Sequence, residues 1–262
     1  INPIEHYKLN VGQLRKGDPA DFILVDNTED FKVIATYIDG LKVAENGKPL
    51  MDRVEANIVN NFNAEKKSPD DFKLESNCGE INVIEAINNE IITKSISAKA
   101  NIVDGSFVPD VDNDILKIAV VCRYNNEKPA VAFVKGFGLT KGAIASCVAH
   151  DSHNIIAVGI TDEDIAMAVN AVVEEKGGIS VAYDGKVEVL PLPVAGIMTN
   201  ADGYETAEHY SRLDAIAKEL GSNLYAPYMT LSFMALLVIP SLKLSDKGLF
   251  DGNKFEFTDI CN

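Results

Sequence analysis

The sequence has no tryptophan, and it has only four cysteines and four histidines among 262 residues. The cysteines are widely scattered and none belongs to a CxxC pair, which excludes a dense disulfide framework. We therefore predict reduced thiols in a cytoplasmic protein, serving as small buried apolar residues. These residues are Cys78, Cys122, Cys147 and Cys261.

Positive charge is scarce as well, because 24 Lys and Arg residues face 39 Asp and Glu residues and leave a net charge of -15. Such a field repels phosphate backbones and anionic membranes, so we expect neither nucleic acid nor a membrane as a partner. No apolar run approaches the roughly 18 residues of a membrane span, and no positively charged apolar leader opens the sequence. The start at Ile1, without an initiator methionine, predicts a segment or a processed product.

The start of the sequence has the pattern of a small antiparallel sheet. Asp39-Gly40 is a strong signal for the turn of a hairpin. Too few strands are present for a two-sheet core, so we expect this part to need strands from elsewhere. The predicted strands are 20–25, 31–38 and 41–43.

A looser, polar stretch separates this sheet from the rest of the sequence. Pro49 and Ser68-Pro69 mark turns or linker there, and we place the domain boundary near residue 52. The predicted fold class is therefore mixed α and β. It comprises a partial β-sandwich over residues 1–52 and an α+β C-terminal domain over residues 53–262.

In the second domain the apolar period changes from that of strands to that of helices. Thr161 is placed to cap a helix that stops at Gly177-Gly178, and the acidic residues of its first turn suit the helix dipole rather than catalysis. Asp184-Gly185 predicts a second hairpin. His209 falls inside a helical pattern and His6 is isolated, so we assign neither of them a ligand role. The predicted strands are 81–87, 116–123, 130–134, 142–148, 155–160, 179–183 and 186–190, and the second predicted helix is 205–220.

The most informative stretch is 149–154, which packs two imidazoles, a carboxylate, a hydroxyl and an amide between two apolar runs. Since both runs are predicted strands, the polar residues lie on the connection where the strands end, a common place for chemistry. If His150, Asp151 and His153 converge, they can hold a divalent metal or act as a proton relay. The alternative is that these side chains only satisfy the hydrogen bonds of a buried loop.

Several further motifs occur in a fixed order along the sequence. They are Asn2-Pro3, Gly17–Phe22, Lys135–Gly138, Gly142–Ser146, His150–Asn154, Leu192–Met198 and Val238–Leu244. In this order they resemble the bacterial and archaeal adenine deaminases of the amidohydrolase superfamily, from the segment that leaves the barrel to the C-terminal domain. The resemblance covers nearly the whole sequence.

This resemblance implies hydrolysis of adenine to hypoxanthine and ammonia by a metal-activated water. The main metal ligands of the family are barrel residues that include a His-x-His pair, and this sequence has no such pair. The resemblance therefore implies the C-terminal portion of an adenine deaminase, with adenine as the substrate and the N-terminal barrel portion as the missing partner. Manganese or iron rather than zinc is the implied cofactor, held mainly by the barrel.

By the same resemblance, the loop that carries the two histidines closes over the barrel mouth, where active sites of that fold lie. His150, Asp151 and His153 are the implied catalytic residues and the candidate metal ligands, and Ser152 and Asn154 are the implied substrate-binding residues. Two other hypotheses stay open: a structural or oligomerisation module without catalytic residues, and a self-sufficient metallohydrolase. The unfinished sheet also leads us to expect homo-oligomers.

Overall fold

The computed structural model describes residues 1–261, and the chain divides into two compact units. The elements of the first unit, Ile1–Glu55, are α1 (Asn2–Tyr7), β1 (Phe22–Val25), β2 (Val33–Ile38), β3 (Leu41–Glu45) and β4 (Lys48–Pro49). The four strands form an antiparallel sheet in this order. The predicted hairpin is confirmed, since Asp39 and Gly40 join β2 to β3 with the positive φ values that a type I′ turn requires.

This first sheet buries little of its apolar surface. Among residues 1–55, all of which the structure describes, Ala35 alone is buried. Large apolar side chains remain open, including Leu41, which is 71% exposed, and Ile38, which is 49% exposed. A sheet face is buried by a second layer, and this unit contains a single sheet. Taken by itself, the unit is therefore a single sheet whose apolar side chains remain largely exposed.

The second unit begins at Ala56 and is built around an eight-stranded sheet. Its strands are β5 (Glu80–Ala86), β6 (Thr93–Lys99), β7 (Ile102–Val103), β8 (Ser106–Phe107), β9 (Ile115–Val121), β10 (Ala130–Lys135), β11 (Ala143–Ser146), β12 (Ile155–Gly159), β13 (Gly178–Tyr183), β14 (Lys186–Pro191), β15 (Leu242–Ser245), β16 (Gly248–Asp251) and β17 (Glu256–Phe257). Its helices are α2 (Asp162–Glu174), α3 (Gly203–Glu219) and α4 (Pro227–Phe233), with single 3₁₀ turns at Pro69–Phe72 and Val111–Asn113. The fold class predicted from the sequence, mixed α and β, is confirmed.

The large sheet has the strand order β14-β13-β11-β12-β9-β10-β5-β6. Its pairs are antiparallel except for β10 with β5, which run parallel. β15, β16 and β17 form a small separate sheet, and β7 pairs with β8. The strands that flank the histidine-bearing loop therefore lie side by side in the middle of the large sheet.

Both faces of these central strands are covered. On β11, Ile144 belongs to the core that includes Leu213 of α3 and Leu231 of α4. Its neighbours Ala143 and Ala145 belong to the core on the α2 side. Because successive side chains of a strand point to opposite faces, a strand covered on both sides reads as a continuous apolar run. This explains why the sequence predicts buried strands here.

The first of the predicted helices is confirmed together with its cap. The Thr161 hydroxyl oxygen accepts a hydrogen bond from the backbone N–H of Asp164 at 3.0 Å. Asp162 pairs with the ammonium group of Lys117, whose side chain is only 3% exposed, so this first-turn acid is structural, as expected. α3 confirms the second helix. No helix among residues 1–261 is long and apolar enough to cross a membrane.

The sequence pattern does not predict β6 or the small sheet of β15–β17. β6 is an edge strand with the sequence TKSISAK, which has few of the apolar side chains that mark a strand. β15–β17 are strands of two to four residues, too short to show a clear alternation. Their pairing depends on contacts with the rest of the fold.

The prediction of four reduced cysteines is wrong for Cys78 and Cys261, which form a disulfide with their Cα atoms 5.9 Å apart. The two residues are separated by 183 positions in the sequence. They meet because the end of the described chain pairs with β5, where the N–H of Asn82 donates to the carbonyl of Ile260 at 2.7 Å. The other two cysteines are free and buried, as predicted. Sequence spacing could not show this pairing, since it depends on the tertiary fold.

Candidate functional site

The polar loop connects two paired strands, as the sequence predicts. β11 ends at Ser146 and β12 begins at Ile155, and the strands are antiparallel neighbours. Two backbone hydrogen bonds fix the loop: the N–H of His153 donates to the carbonyl of Ala149 at 2.7 Å, and the N–H of His150 donates to the carbonyl of Ser232 in α4 at 3.2 Å. α4 therefore holds one side of the loop.

The structure brings the two histidine side chains of the loop together. The ring centroids of His150 and His153 lie 5.9 Å apart, and both side chains are half-buried. His150 also packs against Phe233, with 4.9 Å between the ring centroids. Asp151 and Ser152 are exposed. The loop thus presents two neighbouring imidazoles, with a carboxylate and a hydroxyl beside them in the chain.

These residues do not fit a metal ion of their own. Within residues 1–261, no group of three or more His, Cys, Asp and Glu side chains is arranged to hold one. A tetrahedral or octahedral site needs several convergent ligands. His150, Asp151 and His153 therefore do not form the three-ligand group that the sequence left open. Any metal role for this loop would depend on ligands from other residues.

Asn154 is buried, and its side chain holds the loop in place. The residue is 2% exposed, and its side-chain carbonyl oxygen accepts a hydrogen bond from the backbone N–H of Arg123 at 3.1 Å. A buried side chain with this partner fits a positioning role. The substrate-binding role predicted for Asn154 has no open surface to act through, whereas Ser152 is exposed.

Arg123 and Tyr124 also hold the polar loop in place, and the sequence did not indicate a role for either residue. The Arg123 guanidinium donates to the carbonyl of Ala195 at 2.7 Å and to the hydroxyl of Tyr124 at 3.1 Å. That hydroxyl in turn donates to the carbonyl of Ser152 at 2.8 Å. Arg123 thus ties the polar loop to the turn at residues 194–198. The sequence could have pointed to Arg123 through its place at the end of the predicted strand 116–123, at the same edge of the sheet as the loop.

The surroundings of His153 favour the neutral form of its imidazole over the charged form. Its Nδ1 atom is buried and has no hydrogen-bond partner among the described residues. Burial lowers the pKa of His153, the positive charge of Arg123 and the neighbouring His150 lower it further, and Asp151 opposes the shift. A neutral imidazole can accept a proton, and the imidazolium that it forms can then donate that proton. The lowered pKa therefore favours the proton-accepting form of His153.

A buried lysine lies behind this site. Lys243 is fully buried, and its ammonium group donates to the carbonyls of Ile91 at 2.8 Å and Phe233 at 2.9 Å. It joins the end of α4, whose carbonyls favour a positive charge, to the turn between β5 and β6. Burial lowers the pKa of Lys243 to about 8. Lys243 belongs to one of the motifs on which the sequence resemblance rests, but the sequence did not reveal its contacts.

We expect this lysine to make stability depend on pH in a defined window. Because its folded pKa lies below its unfolded value near 10.5, the folded state loses the proton first as pH rises. Relative to Lys243→Met, the wild-type chain should therefore gain unfolding free energy between pH 8 and 10.5, by at most about 1.4 kcal/mol per pH unit. Urea unfolding of both proteins across this range measures the difference. A constant or falling difference would contradict the lowered pKa of Lys243 in the folded state.

Fold and site define an α+β domain that presents a two-histidine loop at the end of a buried strand pair. The family model described as adenine deaminase C-terminal domain matches residues 90–256. The chain belongs to this family, which confirms the resemblance identified from the motifs. The match includes the loop, its supports Arg123 and Tyr124, and Lys243.

Curated relatives extend the similarity to the whole chain. Proteins named adenine deaminase from Sulfurovum sp. and Salinibacter ruber are 53% and 52% identical to it, over 100% and 99% of the chain. An adenine deaminase from Methanosarcina mazei is 49% identical over 99% of the chain. The aligned region makes up 48%, 48% and 49% of these proteins. The chain therefore spans about half the length of the curated relatives it matches.

Proposed function

We propose that this chain acts as the C-terminal portion of an adenine deaminase, which hydrolyses adenine to hypoxanthine and ammonia. The observation that carries the proposal is the loop between β11 and β12, with its two adjacent imidazoles, inside a family named for this enzyme. The loop would close the active site that the other half of the protein provides. His150 and His153 would then contact substrate or the attacking water.

The fixed backbone of the loop supports this role. Its hydrogen bond to α4 and the chain of contacts from Arg123 through Tyr124 fix the backbone that carries the two imidazoles. Catalytic side chains act most effectively when their supporting residues keep them preorganised. As a neutral imidazole, His153 can accept a proton from the attacking water and then pass that proton to the leaving amine.

The metal that the family resemblance implies would be held by the other portion of the protein. The chain itself has no three-ligand group among residues 1–261, so we assign the loop proton transfer and substrate contact. Asp151 and Ser152, both exposed, are the loop residues free to meet a partner surface. Manganese or iron remains the proposed ion, and a cytoplasmic location remains a prediction.

A structural or oligomerisation module is the second candidate. The open apolar side chains of the first unit favour it, because an exposed sheet face invites association with another layer. In that case the loop would only satisfy its own hydrogen bonds. The two candidates differ in what the histidines do, and a direct test can separate them.

The test is a chimera in which this chain replaces the aligned C-terminal half of the Sulfurovum relative. At 53% identity, the interface residues should be similar enough for the two halves to assemble. We expect the chimera to release ammonia from adenine in the presence of manganese or iron. A folded chimera that is inactive, beside an active parent enzyme, would count against the proposed function.

A further inference from the structure

A small cavity opens next to His150, between the β5–β6 turn and α4. Its volume is about 180 Å³, and it is lined by residues 89–91 of the turn and by side chains from the segment 225–233. Pockets for drug-sized ligands measure roughly 300–1,000 Å³, so this one suits a single small ring system. The Phe233 ring separates it from the His150 ring, which it contacts.

The walls of the cavity are largely apolar and partly open to solvent. Tyr225 is 76% exposed, Met229 is 52% exposed and Ile91 is 44% exposed, although all three are large apolar or aromatic residues. Together with Phe233 they offer two aromatic rings and a thioether to a ligand. Flat aromatic rings pack well against such groups. The exposed side chains thus favour a planar ligand.

Three hydrogen bonds fix the positions of these two walls. The side-chain carbonyl of Asn88 accepts from the backbone N–H of Tyr225 at 2.9 Å. Lys243 holds the carbonyl of Ile91 on one wall and that of Phe233 on the other. A preformed site binds with a smaller entropy loss than one that must be ordered. The buried Lys243 therefore helps to keep the cavity open by linking both of its walls.

The negative charge of the lining favours a ligand that donates hydrogen bonds and carries no phosphate. Glu90 is the only charged residue among the described residues that line the cavity, and the whole chain carries a net charge of -15. This field disfavours phosphate groups, whereas a carboxylate accepts a hydrogen bond from an amino group. Asn89 and Thr230 add an amide and a hydroxyl to the lining.

We propose that this cavity binds an uncharged planar heteroaromatic base with an exocyclic amino group, as a free base rather than a nucleotide. The choice of adenine as the probe rests on the proposed function. Phe233 would carry the effect of the bound base to the His150 ring.

The test is an NMR titration of the labelled 262-residue chain with adenine, hypoxanthine and adenosine monophosphate. We expect saturable shifts of the Met229 and Ile91 methyl groups with adenine, at a dissociation constant of about 1 mM or lower. Hypoxanthine, which lacks the amino group, should bind about tenfold more weakly, and the nucleotide should not bind in this range. Glu90→Gln should weaken adenine binding about tenfold, since the acceptor of the amino group's hydrogen bond loses its charge.

A matched pair of variants locates the site. Met229→Asp should abolish the saturable shift of the Ile91 methyl groups, whereas Met198→Asp should leave it unchanged, because Met198 is equally exposed at 52% but lies outside the lining. Equal binding by both variants, equal binding of the nucleotide, or no shift at millimolar adenine overturns the inference. If adenine fails to bind but the chimera deaminates it, only the inference fails. If adenine binds here and the chimera is inactive, only the proposed function fails.

Discussion

Replacing His150 and His153 together by glutamine in the chimera should lower kcat/KM for adenine by about 100-fold or more. A positioned side chain that transfers a proton contributes roughly 10²–10⁴-fold to a rate, and glutamine cannot transfer one in this way. Glutamine keeps a polar side chain of comparable length, so the loop should remain folded. Ammonia release gives the rate, and urea unfolding of the same preparation gives the stability.

The matched control for this prediction is His209→Gln. His209 lies on α3 with its Nε2 atom 3.2 Å from the carboxylate of Glu188, outside the polar loop. Its replacement should leave kcat/KM within a factor of about two, because the side chain makes its contact with Glu188 and none with the polar loop is present among the described residues. If the loop variant keeps its rate, or loses stability before activity, the loop is structural and the oligomerisation candidate gains support.

Replacing Gly177 by alanine should be among the most destabilising single changes in the chain. Gly177 adopts φ of +136°, and an added Cβ would lie 2.4 Å from the Cα of Gly196 and 2.5 Å from the carbonyl oxygen of Leu192. Both contacts are with backbone, so the 192–196 segment would have to move. We expect the free energy of unfolding of the 262-residue chain to fall by about 3 kcal/mol or more, as measured by urea unfolding.

Gly185→Ala separates the backbone clash from the effect of positive φ alone. Gly185 has φ of +72°, with no atom within 4 Å of an added Cβ, so its replacement should lower the free energy of unfolding by about 1 kcal/mol. In the chimera, Gly177→Ala should also slow turnover, because Arg123 links Ala195 to the polar loop. Equal losses of stability in the two variants would contradict the close packing at Gly177.

Local signals were sufficient for much of the fold. Asp39-Gly40 and Asp184-Gly185 predicted hairpins because two-residue turns need positive φ, and Thr161 predicted a helix start because its hydroxyl can cap the first turn. The edge strand β6 was not predicted, because its polar sequence shows no clear alternation of apolar and polar residues. Such a strand exists through its pairing with β5, which is a tertiary contact.

The candidate site was likewise predicted only in part. The loop could be located because polar residues interrupt two apolar runs, and its position between two strands is confirmed. The supports of the loop could not be predicted. Arg123 and Lys243 act through backbone carbonyls distant in sequence, and a carbonyl has no sequence signature. The pairing of Cys78 with Cys261 was missed because it depends on the tertiary fold.

The most direct test of the central claim is ammonia release from adenine by three proteins in one assay: the chimera, the purified 262-residue chain alone, and the N-terminal portion of the Sulfurovum relative alone, each with manganese or iron. The account predicts turnover by the chimera and none by either part, because the loop would complete a site built by the other half. Turnover by the pure chain, with its purity established by mass, would contradict the account and make the His150–His153 loop the centre of a self-contained enzyme.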